Sequence, residues 1–363
     1  MNHAATLPID HGANDAAEAF AGRIMDLLTA AGSAAMISVG HRLGLFDTMA
    51  GKPPASSSEI AERASLAERY VREWLASMVV SGIVDYDPSS RRYRLPGAHA
   101  ACLTRGAPLG NHAVYAQMAT LLGKVEDGII RRFETGDGSR YDEYPCFHQI
   151  MAEDSVQTVT AGLFEHVLPL AAGIEARLSA GIDVLDAGCG RGSALIALAR
   201  RFPRSRFTGY DLCEDAIRYA DRTARDAGLS NIRFETRDLS DYAERDRWDF
   251  ITSFDAVHDQ KSPAALVRSL HGALRSGGTY LMQDIGGSAH LENNGDFPMA
   301  AMLYAISCAH CTPVSIGQGG EGLGTMWGWE TAEALLKQAG FSPVHLHRLP
   351  HDPLNVWFVA VKP

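Results

Sequence analysis

The sequence predicts an α/β protein whose larger part is a seven-stranded, Rossmann-like sheet, preceded by a mostly helical winged-helix domain. Three observations support this fold class. From Gly181 to the end of the chain, strand-like and helix-like patterns alternate, which implies a mostly parallel sheet. The first of these strands runs into three glycines at alternate positions. The first hundred residues instead follow a helix, helix, hairpin pattern.

Length, charge and cysteine content exclude several classes of protein. The 363 residues suggest two domains and are enough for a sizeable core. The net charge of -10 provides no basic field that would attract nucleic acid or an anionic membrane. No apolar run reaches the roughly 18 residues of a membrane span, and Met1 to Asp15 lack a secretory signal pattern. The six scattered cysteines fit a reducing compartment, so we expect a cytoplasmic protein.

The winged-helix domain is expected over residues 16–105, after a loose tail at 1–15. Apolar residues at helical spacing predict two helices between Ala16 and Ala50, with a break at Gly32 and Ser33. A serine-rich helix start at 56–58 and a helix over 65–81 follow. The segments 83–86 and 91–95, joined by a turn, then form the hairpin that would be the wing.

Two interpretations of the winged helix remain open. Such a domain can bind DNA, and its second helix and wing carry positive charge at Arg69, Arg72, Arg91, Arg92 and Arg94. Alternatively, the helix and wing are structural and their arginines form a solvated face. We expect the second, so nucleic acid is not a predicted partner.

The rest of the chain divides into a helical linker and the sheet domain. Residues 106–180 are predicted to be mostly helical, and some of their aromatic residues should line a substrate pocket. Residues 181–363 carry the sheet. Residues 315–328, which lie between the later strands and helices of the sheet domain, hold six glycines. They are predicted to form either a disordered connection or a loop over the active site.

The glycine turn after the first sheet strand predicts a ligand site. The strand Val184-Leu185-Asp186 leads into Gly188, Gly190 and Gly192, and a helical pattern follows. Glycine permits positive φ and lets a ligand approach bare backbone, and the unpaired amides of a helix start add a weak positive end. A dinucleotide fingerprint would require glycine at Ser193. An ordinary tight turn is the alternative.

Acidic residues end the next two predicted strands. Asp211 lies about 20 residues beyond the glycine turn, where the ribose-binding acid of nucleotide-binding folds is found. Asp238 ends the third strand, and a fourth, apolar strand covers Trp248 to Phe254. Because open α/β sheets bind ligands at the carboxyl ends of their strands, we expect these groups to share one site.

This order of glycine turn and strand-end acids resembles that of class I S-adenosylmethionine (SAM) methyltransferases. The resemblance implies that SAM is the cofactor, with the Asp211 carboxylate on the ribose hydroxyls and Asp238 beside the adenine amino group. It implies a cofactor site formed by Asp186, Gly188, Cys189, Gly190, Asp211, Leu212, Asp238, Leu239 and Phe254.

The segment 255–263 resembles the stretch of small-molecule O-methyltransferases that contains a His-Asp-Trp motif. In that family the histidine is the general base on the substrate hydroxyl, so the resemblance implies that His258 is catalytic and that Asp259 is its acidic neighbour. Gln260 replaces the tryptophan, which should change substrate packing. Imidazole suits proton removal near neutral pH. Alternatively, His258 caps a helix or faces solvent and Asp259 is a helix cap. Glu330 or Glu333 lies near the place where the family orients its histidine.

The resemblance covers the chain from about residue 20 and implies a homodimer formed through the winged-helix domain. We therefore predict SAM-dependent methyl transfer to a small molecule, at a hydroxyl oxygen, without a metal. The alternatives are a transcriptional regulator with SAM as effector, N- or C-methylation, and a different reaction on the same fold. Cys308 and Cys311 form a C-x-x-C pair, but their apolar helical context favours buried thiols over redox or zinc chemistry.

Overall fold

A computed structural model describes residues 11–107 and 110–363, with side chains from Asp15 onward. The chain forms two compact units, Met1–Thr120 and Leu121–Pro363. Most of the predicted N-terminal tail lies outside the described residues. Residues 11–15, however, already belong to the first helix, so that part of the prediction was wrong.

The first unit holds the winged helix. Its helices and wing strands are α1 (His11–Arg42), α2 (Leu45–Met49), α3 (Ser57–Ala64), α4 (Glu68–Val80), β1 (Asp85–Asp87), β2 (Arg92–Arg94) and α5 (Gly97–Leu103). Ser56 and Glu59 form a reciprocal capping box at the start of α3. The wing strands pair antiparallel, with Tyr86 opposite Tyr93. The predicted winged-helix architecture is confirmed.

One element of this unit differs from the prediction. α1 is a single 32-residue helix, so the break expected at Gly32 and Ser33 was wrong. Gly32 is absent from the residues with positive φ, and the Ser33 hydroxyl donates back to the Thr29 carbonyl. A glycine inside a helix costs only about 1 kcal/mol, which is too little to end a long apolar helix.

The second unit is built on the predicted seven-stranded sheet, whose order is β5-β4-β3-β6-β7-β9-β8. The strands are β3 (Asp183–Ala187), β4 (Arg206–Asp211), β5 (Ile232–Thr236), β6 (Trp248–Phe254), β7 (Leu274–Ile285), β8 (Val344–Leu349) and β9 (Asp352–Val361). β3 to β7 are parallel, while β9 pairs antiparallel with both β7 and β8. The chain order reverses between β3 and β6, which is where such sheets bind ligands.

The remaining helices follow the winged helix or alternate with the strands along the chain. They are α6 (Ala113–Thr135, which crosses the boundary between the units), α7 (Phe147–Ser155), α8 (Ile174–Ala180), α9 (Ser193–Arg201), α10 (Glu214–Asp226), α11 (Pro263–Ala273), α12 (Ala300–Ile306), α13 (Thr312–Gly317) and α14 (Trp329–Gln338). Neighbouring residues of one strand enter opposite cores. Val184 and Phe250 pack in one cluster, and Leu185 and Ile251 pack in the other.

The segment 136–139 packs directly against α13, backbone to backbone. A Cβ atom on Gly138 would lie 1.8 Å from the amide nitrogen of Gly317, and one on Gly317 would lie 2.1 Å from the Ser139 carbonyl oxygen. The Ser139 amide also donates to the carbonyl of Pro313 at 2.7 Å. Only glycine fits at both contact positions.

Two helical stretches, Asp15–Arg42 and Ala300–Gly317, have the length and hydropathy that a membrane span requires, each with a mean hydropathy of 1.2. Buried core helices of water-soluble proteins and N-terminal signal sequences meet the same criterion, so the two stretches are weak evidence for a membrane span.

Candidate functional site

A cleft lies at the carboxyl ends of β3, β4, β5 and β6, entirely within the second unit. It contains about 1140 Å³ of space, including the part open to solvent. Each of these strands contributes a residue at or just past its last position, namely Gly188, Asp211, Asp238 and Asp255. The sheet therefore brings together groups that lie up to 67 positions apart in the chain.

The glycine turn forms the floor of the cleft. Gly188, Gly190 and Gly192 have φ values of 84°, 51° and 72°, which L side chains rarely adopt. The amides of Gly188 and Cys189 donate to the Tyr210 carbonyl at 2.9 and 3.0 Å, which ties the turn to β4. Within the described part of the chain, no atom other than those of Gly190 and its two chain neighbours lies within 4 Å of the place where a Cβ of Gly190 would be. The backbone there is bare and open.

Asp211 connects the turn to the end of β4. Its Oδ2 accepts from the Gly190 amide at 2.8 Å, and its Oδ1 accepts from the Cys213 amide at 2.9 Å. A carboxylate has about four lone-pair sites, so two remain for other donors. Burial raises the pKa of Asp211. At the end of β5, Asp238 accepts from the Ser240 amide at 2.8 Å.

All the residues predicted to bind the cofactor line this one cleft. They are Asp186, Gly188, Cys189, Gly190, Asp211, Leu212, Asp238, Leu239 and Phe254. Asp186 is 3% exposed and accepts from the Thr252 hydroxyl at 2.8 Å. Burial raises the pKa of its carboxyl to about 7.

The cleft is acidic. Six carboxyl groups and only two guanidinium groups line it: Asp154, Asp186, Asp211, Asp238, Asp255 and Asp259 against Arg191 and Arg237. Such a lining favours a cationic ligand and opposes a pyrophosphate. This agrees with the departure of the glycine turn from the dinucleotide fingerprint.

His258, the predicted base, is not among the residues that line the cleft. Its side chain is buried, its Nδ1 lies 2.9 Å from Asp284 Oδ1, and its Nε2 lies 3.3 Å from Cys311 Sγ. Burial is the largest single influence and lowers the pKa of His258, but the Asp284 carboxylate and the Cys311 sulfur together outweigh it and hold that pKa well above the ordinary value. The imidazole is therefore a cation at neutral pH, with both nitrogens occupied.

The partner of His258 is Asp284, to which the sequence analysis gave no role. Asp284 Oδ1 also accepts from the Ile285 amide at 2.8 Å and from Trp327 Nε1 at 3.1 Å. Glu330 instead binds Ser288 and Ala289, and Glu333 pairs with Lys337. The suggestion that one of these glutamates orients His258 was wrong. The sequence feature that could have indicated Asp284 is an acidic residue near the end of an apolar strand.

Asp255 was also overlooked, although it directly follows β6 and lines the cleft. Its backbone adopts φ 52°, and its amide donates to the Gln283 carbonyl at 2.9 Å. Its Oδ1 lies 3.8 Å from His258 Nδ1. Among the described residues, this buried oxygen has no hydrogen-bond partner.

The two residues after His258 also face the cleft. Asp259 is buried and accepts from the Tyr141 hydroxyl at 2.6 Å. Because α11 begins only at Pro263, after Ser262, neither Asp259 nor His258 caps it, and the predicted alternatives of a helix cap or a solvent-facing histidine were wrong. The Gln260 side chain donates to the Ala256 carbonyl at 2.8 Å.

The six cysteines are free thiols. Cys308 is exposed and Cys311 is buried, so the C-x-x-C residues face different surroundings. Cys311 Sγ accepts from the Thr325 hydroxyl at 3.0 Å in addition to its contact with His258.

The arginines of the winged helix lie beside acids. Arg72 and Glu68 are 2.9 Å apart, Arg92 and Glu59 are 3.1 Å apart, and Arg94 and Asp85 are 2.7 Å apart. Arg69 pairs with Glu73. These pairs reduce the positive charge that would bind DNA phosphates.

Comparison with known families gives two matches. A model described as an Rv2258c-like winged HTH domain matches residues 31–105, and a methyltransferase domain model matches residues 178–340. A fatty-acid O-methyltransferase of Mycolicibacterium smegmatis is 30% identical over 104 residues, which are 29% of this chain and 37% of that protein. The matches span roughly a third of the length of the curated relatives, between 26% and 37%.

Solved structures resemble the whole chain. A candidate O-methyltransferase from Nostoc punctiforme superposes with a TM-score of 0.71 at 20% identity, covering 94% of this chain and 98% of its own. Human N-acetylserotonin methyltransferase in complex with SAM superposes with a TM-score of 0.66 at 15% identity, covering 99% of both chains. At these identities the likeness shows the fold.

The chain is thus composed of an Rv2258c-like winged helix-turn-helix domain followed by a methyltransferase domain, in the fold of small-molecule O-methyltransferases.

Proposed function

We propose that this protein is a SAM-dependent methyltransferase that transfers a methyl group to a hydroxyl oxygen of a small molecule. The observation that carries the proposal is the cleft itself. An open glycine backbone, an acid at the end of β4 and another at the end of β5 line a single acidic cleft in a methyltransferase domain.

The residues of the cleft fit SAM. The open space at Gly190 leaves room for a ligand against the backbone, and the Asp211 carboxylate has lone pairs left for ribose hydroxyls. Asp238 would lie at the adenine, and the acidic lining complements a sulfonium cation. When bound, SAM supplies an electrophilic methyl group. The chain's contribution is to hold the acceptor oxygen in line with it, which can account for most of the acceleration.

Oxygen is the favoured acceptor atom because the small-molecule methyltransferases with this fold include named O-methyltransferases. Tyr141, Phe147 and Met151 give one side of the cleft an aromatic and apolar wall suited to a small organic acceptor. N-methylation is the alternative, since another relative is an N-methyltransferase. We further propose a cytoplasmic homodimer.

The role of His258 as general base stays a prediction. Direct action would require the acceptor to take the place of Cys311 Sγ at Nε2 and the imidazole to lose its proton.

Isothermal titration calorimetry with SAM tests the proposal. We expect Asp211→Asn to weaken binding by about 10- to 100-fold, because hydrogen bonds to a charged group contribute about 1.5–3 kcal/mol. Asp241→Asn, at an exposed acid just beyond Asp238, is the matched control and should bind like the unaltered protein. Incubation with labelled SAM and a panel of phenols and aliphatic alcohols should then yield methyl ethers.

Two results would count against the proposal. If the folded, unaltered protein does not bind SAM, the cofactor assignment fails. If SAM binds and no acceptor in the panel or in a cell extract is labelled, the chain uses SAM for another purpose, such as regulation through the winged helix. A salt-dependent gel shift with Arg91, Arg92 and Arg94 replaced by alanine would then test the DNA alternative.

A further inference from the structure

The proton of a hydroxyl acceptor needs a group that can reach it. His258 is separated from the cleft, and its Nε2 is covered by Cys311 Sγ. Asp255 borders the cleft and also lies 3.8 Å from His258 Nδ1. It therefore lies between the buried histidine and the cleft.

The backbone fixes the Asp255 carboxyl at this position. A non-glycine residue at φ 52° costs on the order of 1 kcal/mol, and such strain concentrates at functional sites. The bond from the Asp255 amide to the Gln283 carbonyl holds the strained turn against β7. The next residue, Ala256, packs against the glycine turn, since a Cβ on Gly188 would lie 2.5 Å from the Ala256 Cβ. Asp255 is thus fixed beside the proposed methyl donor site.

The surroundings of Asp255 set its protonation. Asp284, Asp154 and Asp259 face it with like charge, and the His258 cation opposes them. Burial is the largest influence, and with the neighbouring acids it raises the pKa of Asp255 to about 7. A base with a pKa near the working pH removes protons efficiently.

We propose that Asp255 is the catalytic base of the methyl transfer, and that His258 and Asp284 are positioning residues that act through it. This inference rests on the proposed function. As the acceptor oxygen forms its bond to the methyl carbon, the hydroxyl proton passes to the Asp255 carboxylate. The bond from that carbon to sulfur breaks, with its electron pair left on sulfur. Asp255 then releases the proton to water in the cleft.

The arrangement explains the contacts of His258. Its Nδ1 points to Asp284 and lies near Asp255, so its positive charge is shared between the two carboxylates. Its Nε2 needs no access to substrate, and Cys311 can cover it. A divalent cation held by Asp255, His258 and Asp284 is the competing explanation, because their ligand atoms lie within 4.8 Å of one another.

The test compares phenols of different acidity as acceptors, with initial rates measured from pH 5.5 to 9. With weakly acidic phenols, we expect the rate of the unaltered enzyme to rise with pH and level off above about 7. Asp255→Asn should lower that rate by about 100-fold or more and remove the rise. With dinitrophenols, which are ionised throughout this pH range, the same variant should lose far less of its activity. Its affinity for SAM should fall far less than its rate.

Chemical rescue separates catalysis from structure. In Asp255→Ala, added formate should restore part of the rate with weakly acidic phenols, and Asp241→Asn should behave like the unaltered enzyme. Equal losses with both kinds of phenol, or an unchanged rate in Asp255→Asn, would overturn the inference. So would loss of activity on treatment with EDTA that Mg²⁺ or Zn²⁺ restores. SAM binding without transfer to any phenol or aliphatic alcohol would overturn both the inference and O-methylation, whereas absence of SAM binding would refute the proposed cofactor.

Discussion

His258 is held by Asp284 on one ring nitrogen and Cys311 on the other, so its charge can influence the cleft only through space. Because the His258 cation lowers the pKa of Asp255, His258→Gln should raise that pKa. We expect the pH at which turnover levels off to move upward and the rate at pH 7 to fall several-fold, with SAM affinity retained. pH–rate profiles with a weakly acidic phenol measure this.

His271→Gln is a suitable control, because His271 is half-buried and lies at Gly340, away from the cleft. Its profile should match that of the unaltered enzyme. If His258→Gln instead removes the rise with pH altogether, His258 is the base, as the family resemblance implied.

The residues predicted to bind the cofactor line one cleft because they follow local patterns. A glycine turn and acids at strand ends occupy fixed places in consecutive βα units, so their side chains meet once the sheet forms. The surroundings of His258 could not be predicted in this way. Asp284 and Cys311 lie 26 and 53 positions away from it, and no periodicity indicates which side chain fills a buried space between distant elements.

At the scale of elements, α1 carries an apolar face that the first unit leaves exposed. Phe20, Leu27 and Leu28 are each about 60% exposed, and Ile24 is 39% exposed, all at helical spacing. A second copy of the chain would cover such a face in the proposed homodimer. We expect Leu27→Asp with Leu28→Asp to weaken dimerisation by on the order of 100-fold or more, since a buried leucine contributes about 1.5–3 kcal/mol.

Sedimentation velocity over a range of protein concentrations measures that change. Asp26→Asn, at an exposed polar position of the same helix, should leave the dimer intact. A monomeric unaltered protein, or a double variant that still dimerises, would contradict this role of α1.

Element boundaries show what local sequence can and cannot decide. The start of α3 could be predicted from the sequence because its capping residues, Ser56 and Glu59, are only three positions apart. The continuity of α1 could not be predicted in this way. A glycine ends a helix only where its backbone leaves helical dihedral angles, and the residue type alone does not determine those angles.

At the scale of the whole molecule, buried acids make stability depend on pH. The pKa values of Asp186, Asp255 and Asp352 are each raised to about 7, chiefly by burial. Their folded-state values exceed the unfolded ones, so the folded state binds more protons and loses stability as pH rises from about 4 to 7. The raised pKa of His258 also lowers the stability of the folded protein as pH rises, until the pH exceeds the pKa of His258 in the folded state. Burial lowers the pKa of His310 to about 3, so this residue instead makes the folded protein more stable as pH rises to about 6.5.

We therefore expect the ligand-free protein to melt a few degrees lower at pH 8 than at pH 6. Circular dichroism at constant ionic strength measures the difference. Asp186→Asn mimics the protonated acid, because its amide oxygen can still accept from Thr252, and should reduce the difference. A higher melting temperature at pH 8 would show that the lowered histidine pKa values outweigh the acids.

The contact between Gly138 and Gly317 constrains how the cleft can open. No side chain separates the two backbones there, so the segment leading to Tyr141 and the helix after Cys311 depend on each other for their positions. Tyr141 borders the cleft, whereas Cys311 covers His258. We therefore expect a substitution that separates the two backbones to disturb the Tyr141 wall of the cleft and the Cys311 cover of His258 together.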